Sequence, residues 1–271
     1  MRMYLPMQPP AFQNELADPD YRYREYLPSA GLESYVACYW TLDTRASEKI
    51  RVHRIIPDGC VDIIFDGKAS SCSTGAFAVG LMTAYETINL TTNQSLFGIR
   101  FFSDSARRLL RYPVSALSGY HVYLEELWGS EARFIVEEVG SAHDVSEMIE
   151  RVEAALFQLL RQHESQADPL LLSAVQHMYA SQGMISVRVL ADKLGYNERK
   201  VRRIFQKELG VSPKELSDII RFQSVLQELQ KGPPSRLTDI ALKYGYYDQP
   251  HFIHHFKRFY GLSPGQVFPS I

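Results

Sequence analysis

The most restrictive feature of this chain is a pattern that occurs twice near its C-terminus, at a separation of about fifty residues. Ala191-Asp192-Lys193-Leu194-Gly195-Tyr196 matches Ala241-Leu242-Lys243-Tyr244-Gly245-Tyr246. Further on, Phe205-Gln206-Lys207-Glu208-Leu209-Gly210-Val211-Ser212-Pro213 matches Phe256-Lys257-Arg258-Phe259-Tyr260-Gly261-Leu262-Ser263-Pro264. Each copy has what two steeply crossing helices joined by a short turn require. A small residue sits where the helices touch (Ala191, Ala241). The turn has a residue that tolerates positive φ (Gly195, Gly245). An N-cap starts the second helix (Asn197, Asp248). Apolar residues anchor that helix: Val201, Ile204 and Phe205 in one copy, Phe252 and Phe256 in the other. Its other face is left free to enter a major groove.

The surrounding sequence reads as helix throughout. Expected helices are Leu170–Ala180 after Asp168-Pro169, Val187–Leu194 after Ser186, and Glu198–Glu208 after Asn197. Ser212-Pro213-Lys214-Glu215 is a capping box with Pro at the first helical position, opening a helix to about Gln230. Gly232-Pro233-Pro234 stops it. Thr238–Tyr244, Gln249–Tyr260 and a short turn from Pro264 follow.

These residues resemble the AraC/XylS family of bacterial regulators, over Asp168 to Phe268. The closest fit runs from Ile240-Ala241 through Gly245-Tyr246 to Phe252, Phe256-Lys257, Gly261 and Ser263-Pro264. The resemblance implies seven helices, with two helix-turn-helix units bridged by the long helix Pro213–Gln230 and reading successive major grooves. By matched position it implies base contacts from Arg199, Arg202 and Arg203 in the first unit, and from Gln249, His251, His254 and His255 in the second. The chemistry agrees, because arginine reads guanine and glutamine reads adenine in a bidentate way. Lys200, Lys207, Lys243, Lys257 and Arg258 are expected at phosphates. Two other readings compete. The charged residues are a solvated basic face, or His251 and His255, at i and i+4, hold a metal. A zincin-type helix would need Glu beside the first His and a third ligand, which the sequence does not offer; no metal and no cofactor are expected.

Everything before His163 has another character. From Asp168 on the chain carries a net charge of +5, and the part before it −7. A basic block on an acidic one suits a DNA-binding module attached to something else. The boundary is expected at His163–Ala167, dividing a regulatory domain (1–163) from the DNA-binding domain (168–271). In the first part, Val52–Ile56 and Val61–Phe65 flank Pro57-Asp58-Gly59, a hairpin signal. Ala76–Leu81, Glu86–Leu90 and Leu96–Phe102 read as further strands, Pro28–Val36 and Asp104–Arg111 as short helices. Asp144–Gln162 is a capped amphipathic helix whose stripe (Val145, Met148, Ile149, Val152, Leu156, Leu159, Leu160) serves either its own domain or a homodimer. The fold class is therefore α+β: a mainly antiparallel β sandwich or barrel with helices, then an all-α domain.

Tyr39-Trp40, Pro57-Asp58-Gly59-Cys60-Val61-Asp62-Ile63-Ile64-Phe65 and Gly98-Ile99-Arg100-Phe101 resemble a companion domain of some AraC-type proteins, loosely described as a sensor of unknown ligand. Members usually carry Pro-Gly after the Arg-x-Phe strand, where this chain has Ser103-Asp104. Trp40, His53, Arg54, Asp62 and Arg100 are the candidate ligand contacts; equally, each is an ordinary hydrogen-bonded sheet residue. Asp58 is expected to serve its turn.

The expected function is sequence-specific transcription regulation in the cytoplasm. Operator DNA is the expected partner, with RNA polymerase and a small-molecule effector. One alternative is a constitutive regulator whose first domain only dimerises. Another is a DNA-repair alkyl acceptor using Cys60 or Cys38, disfavoured because no nucleophile–base constellation is present. Cys38, Cys60 and Cys72 are an odd set without metal-type spacing, read as reduced thiols. Met1–Pro10 lacks the pattern of a secretory signal, and no apolar run is long enough for a membrane span.

Overall fold

The computed structural model describes residues 4–9, 20–46, 51–117, 121–162, 168–232 and 236–268, and the helices of the repeated block start within one residue of the expected positions. Seven helices follow the expected order: α5 (Pro169–Ala180), α6 (Val187–Leu194), α7 (Glu198–Leu209), α8 (Pro213–Lys231), α9 (Leu237–Lys243), α10 (Gln249–Tyr260) and α11 (Pro264–Val267). Asp168, Ser186, Asn197 and Asp248 each accept hydrogen bonds from first-turn backbone N–H groups. Ser212 and Glu215 cap α8 reciprocally around Pro213. Gly195 and Gly245 close the two turns at φ +71° and +68°. A Cβ there would meet nothing within 4 Å, so backbone conformation rather than space calls for glycine.

The first part of the chain forms an antiparallel sheet of six strands in the order β1-β2-β7-β4-β5-β8. They are β1 (Tyr21–Tyr26), β2 (Val36–Thr44), β4 (Cys60–Asp66), β5 (Ala76–Val79), β7 (Gln94–Phe102) and β8 (His121–Tyr123); β3 (Arg51–Ile55) and β6 (Glu86–Leu90) make a separate pair. The barrel alternative does not hold, since the six-stranded sheet is open. Its central strand β7 has Gly98 beneath the indole of Trp40, where a Cβ would come within 2.0 Å of the ring. One face carries Tyr39, Phe65, Phe97 and Ile99 into the main core, and the other carries Cys38, Trp40 and Leu42 toward Leu90 of β6.

Helices α1 (Ser103–Leu110), α2 (Leu124–Trp128), α3 (Ser130–Gly140) and α4 (Val145–Gln162) complete this part. Ser103-Asp104 begins α1 directly after β7. The apolar stripe of α4 packs at home: Val152, Leu156 and Leu159 are buried in the main core, with Met148, Ile149 and Leu160 against it.

Two expectations are corrected. Residues Pro28–Val36 do not form a helix; 30–35 is a run of turns, and Val36 already belongs to β2. Nor do the strands flanking Pro57-Asp58-Gly59 form a hairpin. β3 pairs with β6, whereas β4 pairs with β5 and β7. The turn carries the chain from one sheet to the other because its side chains are claimed by distant partners. Asp58 accepts from the Cys60 backbone N–H (3.0 Å) and from Gln8 (2.9 Å), and Ile56 enters the core of the second helix-turn-helix unit.

The expected boundary segment His163–Ala167 and the Pro233-Pro234 stop lie outside the described residues. On either side of that boundary the core is continuous, running from the sheet into α5, α6, α7 and the start of α8. Helix α8 is buried at every position from Leu216 to Leu226, polar ones included. A helix enclosed in this way has protein on all sides. Here these are the two helix-turn-helix units and the N-terminal segment, whose Met7 N–H donates to Gln223 Oε1 (2.8 Å) while Gln223 Nε2 donates to the Pro57 carbonyl (2.8 Å).

Candidate functional site

The second helix of the first unit, α7, buries Val201, Ile204, Phe205 and Leu209 and exposes Arg199, Arg202, Arg203, Gln206 and Lys207. Residues three and four apart share a helix face, so the arginines form one exposed cationic surface. Arg202 is braced by Glu198 one turn earlier (2.9 Å), an exposed pair that costs little to open. Lys200 lies over the Tyr196 ring, 5.4 Å from its centre. The N-terminal domain touches α7 from behind: Ser115 donates to the Lys207 carbonyl (2.6 Å), and Arg107 pairs with buried Glu208. It therefore supports α7 without covering the arginines.

In α10, Phe252, Phe256, Phe259 and Tyr260 face inward. His251 and His254 are exposed, and Gln249 accepts from the Thr238 hydroxyl (3.1 Å) at the mouth of the unit. His255 is a correction to the expected set of base contacts. It is only 7% exposed, with Nδ1 3.0 Å from the Tyr246 hydroxyl and Nε2 3.7 Å from the Asp218 carboxylate. Burial lowers its pKa against the pull of Asp218. Burial alone would raise the Asp218 carboxyl, but the contacts from His255, Lys214 and Arg221 outweigh it and hold the group ionised. Arg221 also lies 4.7 Å from the Tyr246 ring centre. His255 thus fastens α10 to α8, and by the same burial it is unavailable as partner to His251 for a metal. Lys257 and Arg258 are exposed, and Lys243 reaches the Glu228 carboxylate (2.5 Å). Sequence reasoning passed over Tyr247, which is 89% exposed immediately before α10. Its signal was the second tyrosine after Gly245, which the first copy lacks.

The five candidate ligand contacts of the N-terminal domain separate into structural roles. Trp40 Nε1 donates to Asp62 (2.9 Å). Arg100, 3% exposed, places Nε 3.1 Å from Asp58 and 3.4 Å from Asp62, and Nη1 3.1 Å from Glu25. Burial pushes the Asp62 carboxyl up to about 6, with Arg100 opposing and Asp58 adding. His53 is buried against the Tyr21 hydroxyl (3.2 Å) and pushed down to about 4 by that burial. Arg54 reaches across to the second helix-turn-helix unit, 5.8 Å from the Tyr260 ring centre. None of the five lines either cavity flanking α3 and α4, of about 630 and 730 Å³. Burial also explains the thiols: it pushes Cys38 up to about 12 and Cys60 well above its usual value, so neither offers a thiolate. Among the described residues no group of three His, Cys, Asp or Glu is placed to hold a metal ion, and no helix is long and apolar enough to cross a membrane.

Two family models match the chain. A helix-turn-helix domain covers residues 190–269, and a domain of unknown function (DUF6597) covers 24–123. Among curated proteins, an uncharacterized HTH-type transcriptional regulator of Haemophilus influenzae is 35% identical over 85 residues, 31% of this chain and 28% of the relative. The HTH-type transcriptional regulator MtrA of Neisseria gonorrhoeae is 39% identical over 67 residues, 25% of this chain and 22% of the relative. The match thus spans under a third of each relative's length. Among solved structures, ToxT from Vibrio cholerae aligns over 93% of this chain and 98% of its own, at 14% identity and a TM-score of 0.40.

Proposed function

Because the chain belongs to the AraC family of helix-turn-helix proteins, with an N-terminal domain of unknown function, we propose that it is a transcription regulator that binds a specific operator through α7 and α10. The observation that carries this reading is the pair of repeated units, each with its apolar face buried against α8 and a polar face left open. Arg199, Arg202, Arg203, Gln249, His251 and His254 are assigned to bases, and Lys200, Lys207, Lys243, Lys257 and Arg258 to phosphates. RNA polymerase is the partner through which a bound regulator would act.

Residues 1–163 are assigned as an effector domain for residues 168–271. An effector acts only if it binds two states with different affinity, and the coupling is then reciprocal. The contacts able to carry it are Arg107 with Glu208, the Tyr4 ring stacked on Tyr179 at 4.3 Å, and Gln223 with the 57–59 turn.

Selection of bound sequences from a random duplex pool tests the reading directly. A defined motif with two half-sites supports it, and recovery of unenriched sequence overturns it. Affinity for the selected site should fall steeply with salt, with a log–log slope of roughly −0.9 per phosphate contact over about five to eight contacts. A slope near zero would exclude a phosphate-based interface.

A further inference from the structure

The two helix-turn-helix units are held differently. The first belongs to the main core, where Leu190, Val201 and Phe205 are buried in one cluster with Tyr39, Phe97 and Ile99 of the sheet. The second has a core of its own, in which Ile240, Phe252 and Phe256 pack on α8. Among the described residues before α5, Ile56 is the one buried side chain that enters this core, with Met7 packed against it. A unit resting on a single helix can shift across it as a body, because packed helices slide past one another in small steps. A second support removes that freedom.

That support comes from the β3–β6 pair, which is separate from the six-stranded sheet. Ile55 of β3 is opposite Glu86 of β6, so Ile56 and Tyr85 emerge side by side at one end of the pair. The Arg54 guanidinium lies over two rings there. Its carbon is 5.8 Å from the centre of Tyr260, the last residue of α10, and 5.9 Å from that of Tyr85. Attraction between a guanidinium and a ring face strengthens where water is excluded, and Arg54 Nε is buried. Tyr85 in turn lies on Gly261, the left-handed cap of α10 at φ +85°. A Cβ at Gly261 would come within 2.6 Å of the Tyr85 ring. Ring and guanidinium thus grip the C-terminal end of α10, about 16 Å along the helix from Gln249.

We propose that Arg54 and Tyr85 are positioning residues for DNA binding. They fix α10 relative to α7 and so set the spacing between the two half-sites that the protein accepts. Their role rests on the assignment of α7 and α10 to DNA and adds what aligns the two helices. Helix α7 needs no such brace, because its unit is continuous with the core of the N-terminal domain. A shift of α10 on α8 would leave base reading by α7 intact and misplace Gln249 and His251 in the second groove.

The test compares the full chain with the double variant Arg54→Ala, Tyr85→Ala. Without DNA, amide exchange in the double variant should rise in α9 and α10 and stay unchanged in α6 and α7. With DNA, both proteins select from a random duplex pool. The wild type should recover two half-sites at one spacing. The double variant should recover the α7 half-site with the same base preferences, and the second half-site at several spacings. Its affinity for the wild-type operator should fall about tenfold, and its affinity for a duplex holding only the first half-site should not change. Tyr85→Phe keeps the ring on Gly261 and should restore the single spacing. Arg54→Met keeps the stem, removes the cation, and should give a milder form of the same pattern, which keeps the test open should the double variant misfold. A motif selected by the wild type and kept at one spacing by these variants overturns the positioning role alone. So does exchange that rises equally in α7 and α10, the mark of general loosening. A wild type that enriches no motif overturns the DNA-binding reading instead, and selective exchange in α9 and α10 would then still show the hold on α10.

Discussion

The Tyr246 hydroxyl stands 3.0 Å from Nδ1 of His255 inside the second helix-turn-helix unit, and this contact divides the histidines of α10 by role. His255 holds the helix; His251 and His254 face solvent. His251→Ala with His254→Ala should weaken operator binding and leave folding stability unchanged, whereas His255→Gln should lower stability by about 1–3 kcal/mol through the unpaired Tyr246 and Asp218. Affinity lost in His255→Gln at unchanged stability, with no effect of the first pair, would reverse the assignment.

On α7 the arginines and Lys207 are predicted to do different work. Arg199→Ala and Arg202→Ala should each cost about 1–3 kcal/mol at one base pair and relax preference there. Lys207→Ala should weaken all sequences about equally and reduce the salt slope by roughly one contact. Binding measured across a set of single-base operator variants separates the two outcomes. Uniform loss from the arginine variants would place them on phosphates.

His53 makes stability pH-dependent in a known direction. Its folded pKa is about 4, below the usual histidine value, so the unfolded chain binds the extra proton first. Stability from this residue is complete above about pH 6.5 and is lost as pH falls toward 4, by up to about 3 kcal/mol. Asp62, raised to about 6, works in the opposite sense, losing stability as pH rises through the same interval. Urea unfolding of the wild type against His53→Gln between pH 4 and 7 isolates the histidine contribution. Parallel curves would show that burial does not lower the His53 pKa.

Gln223 is fully buried and joins three backbone groups of the N-terminal part, at Met7 twice and Pro57 once. Gln223→Leu leaves those groups without partners, and should cost about 2–4 kcal/mol. Amide exchange should rise at residues 5–8 and 56–60, while the isolated geometry of α7 is kept. Protection unchanged in those segments would mean that the turn is held from elsewhere.

The sequence by itself determined the DNA-binding half almost element by element. Caps, turn glycines and apolar spacing act within a few residues, so Ser186, Asn197, Ser212-Pro213 and Asp248 mark helix starts wherever the chain is placed, and a repeat doubles the signal. The amphipathic α4 and most strands were legible for the same reason. Only the tertiary structure decided what those elements meet. The strands around Pro57-Asp58-Gly59 read as a hairpin because their local signals are those of one; distant Arg100, Gln8 and α8 send them to different sheets. His255 matches a reading position by spacing, but Asp218 and Tyr246 draw it inside. Trp40, Asp62 and Arg100 read as ligand contacts because burial and charge pairing leave no trace in spacing. The cavity of about 630 Å³ was invisible because its walls come from β2, β4, β7, α3 and α4, brought together by packing between residues about a hundred positions apart.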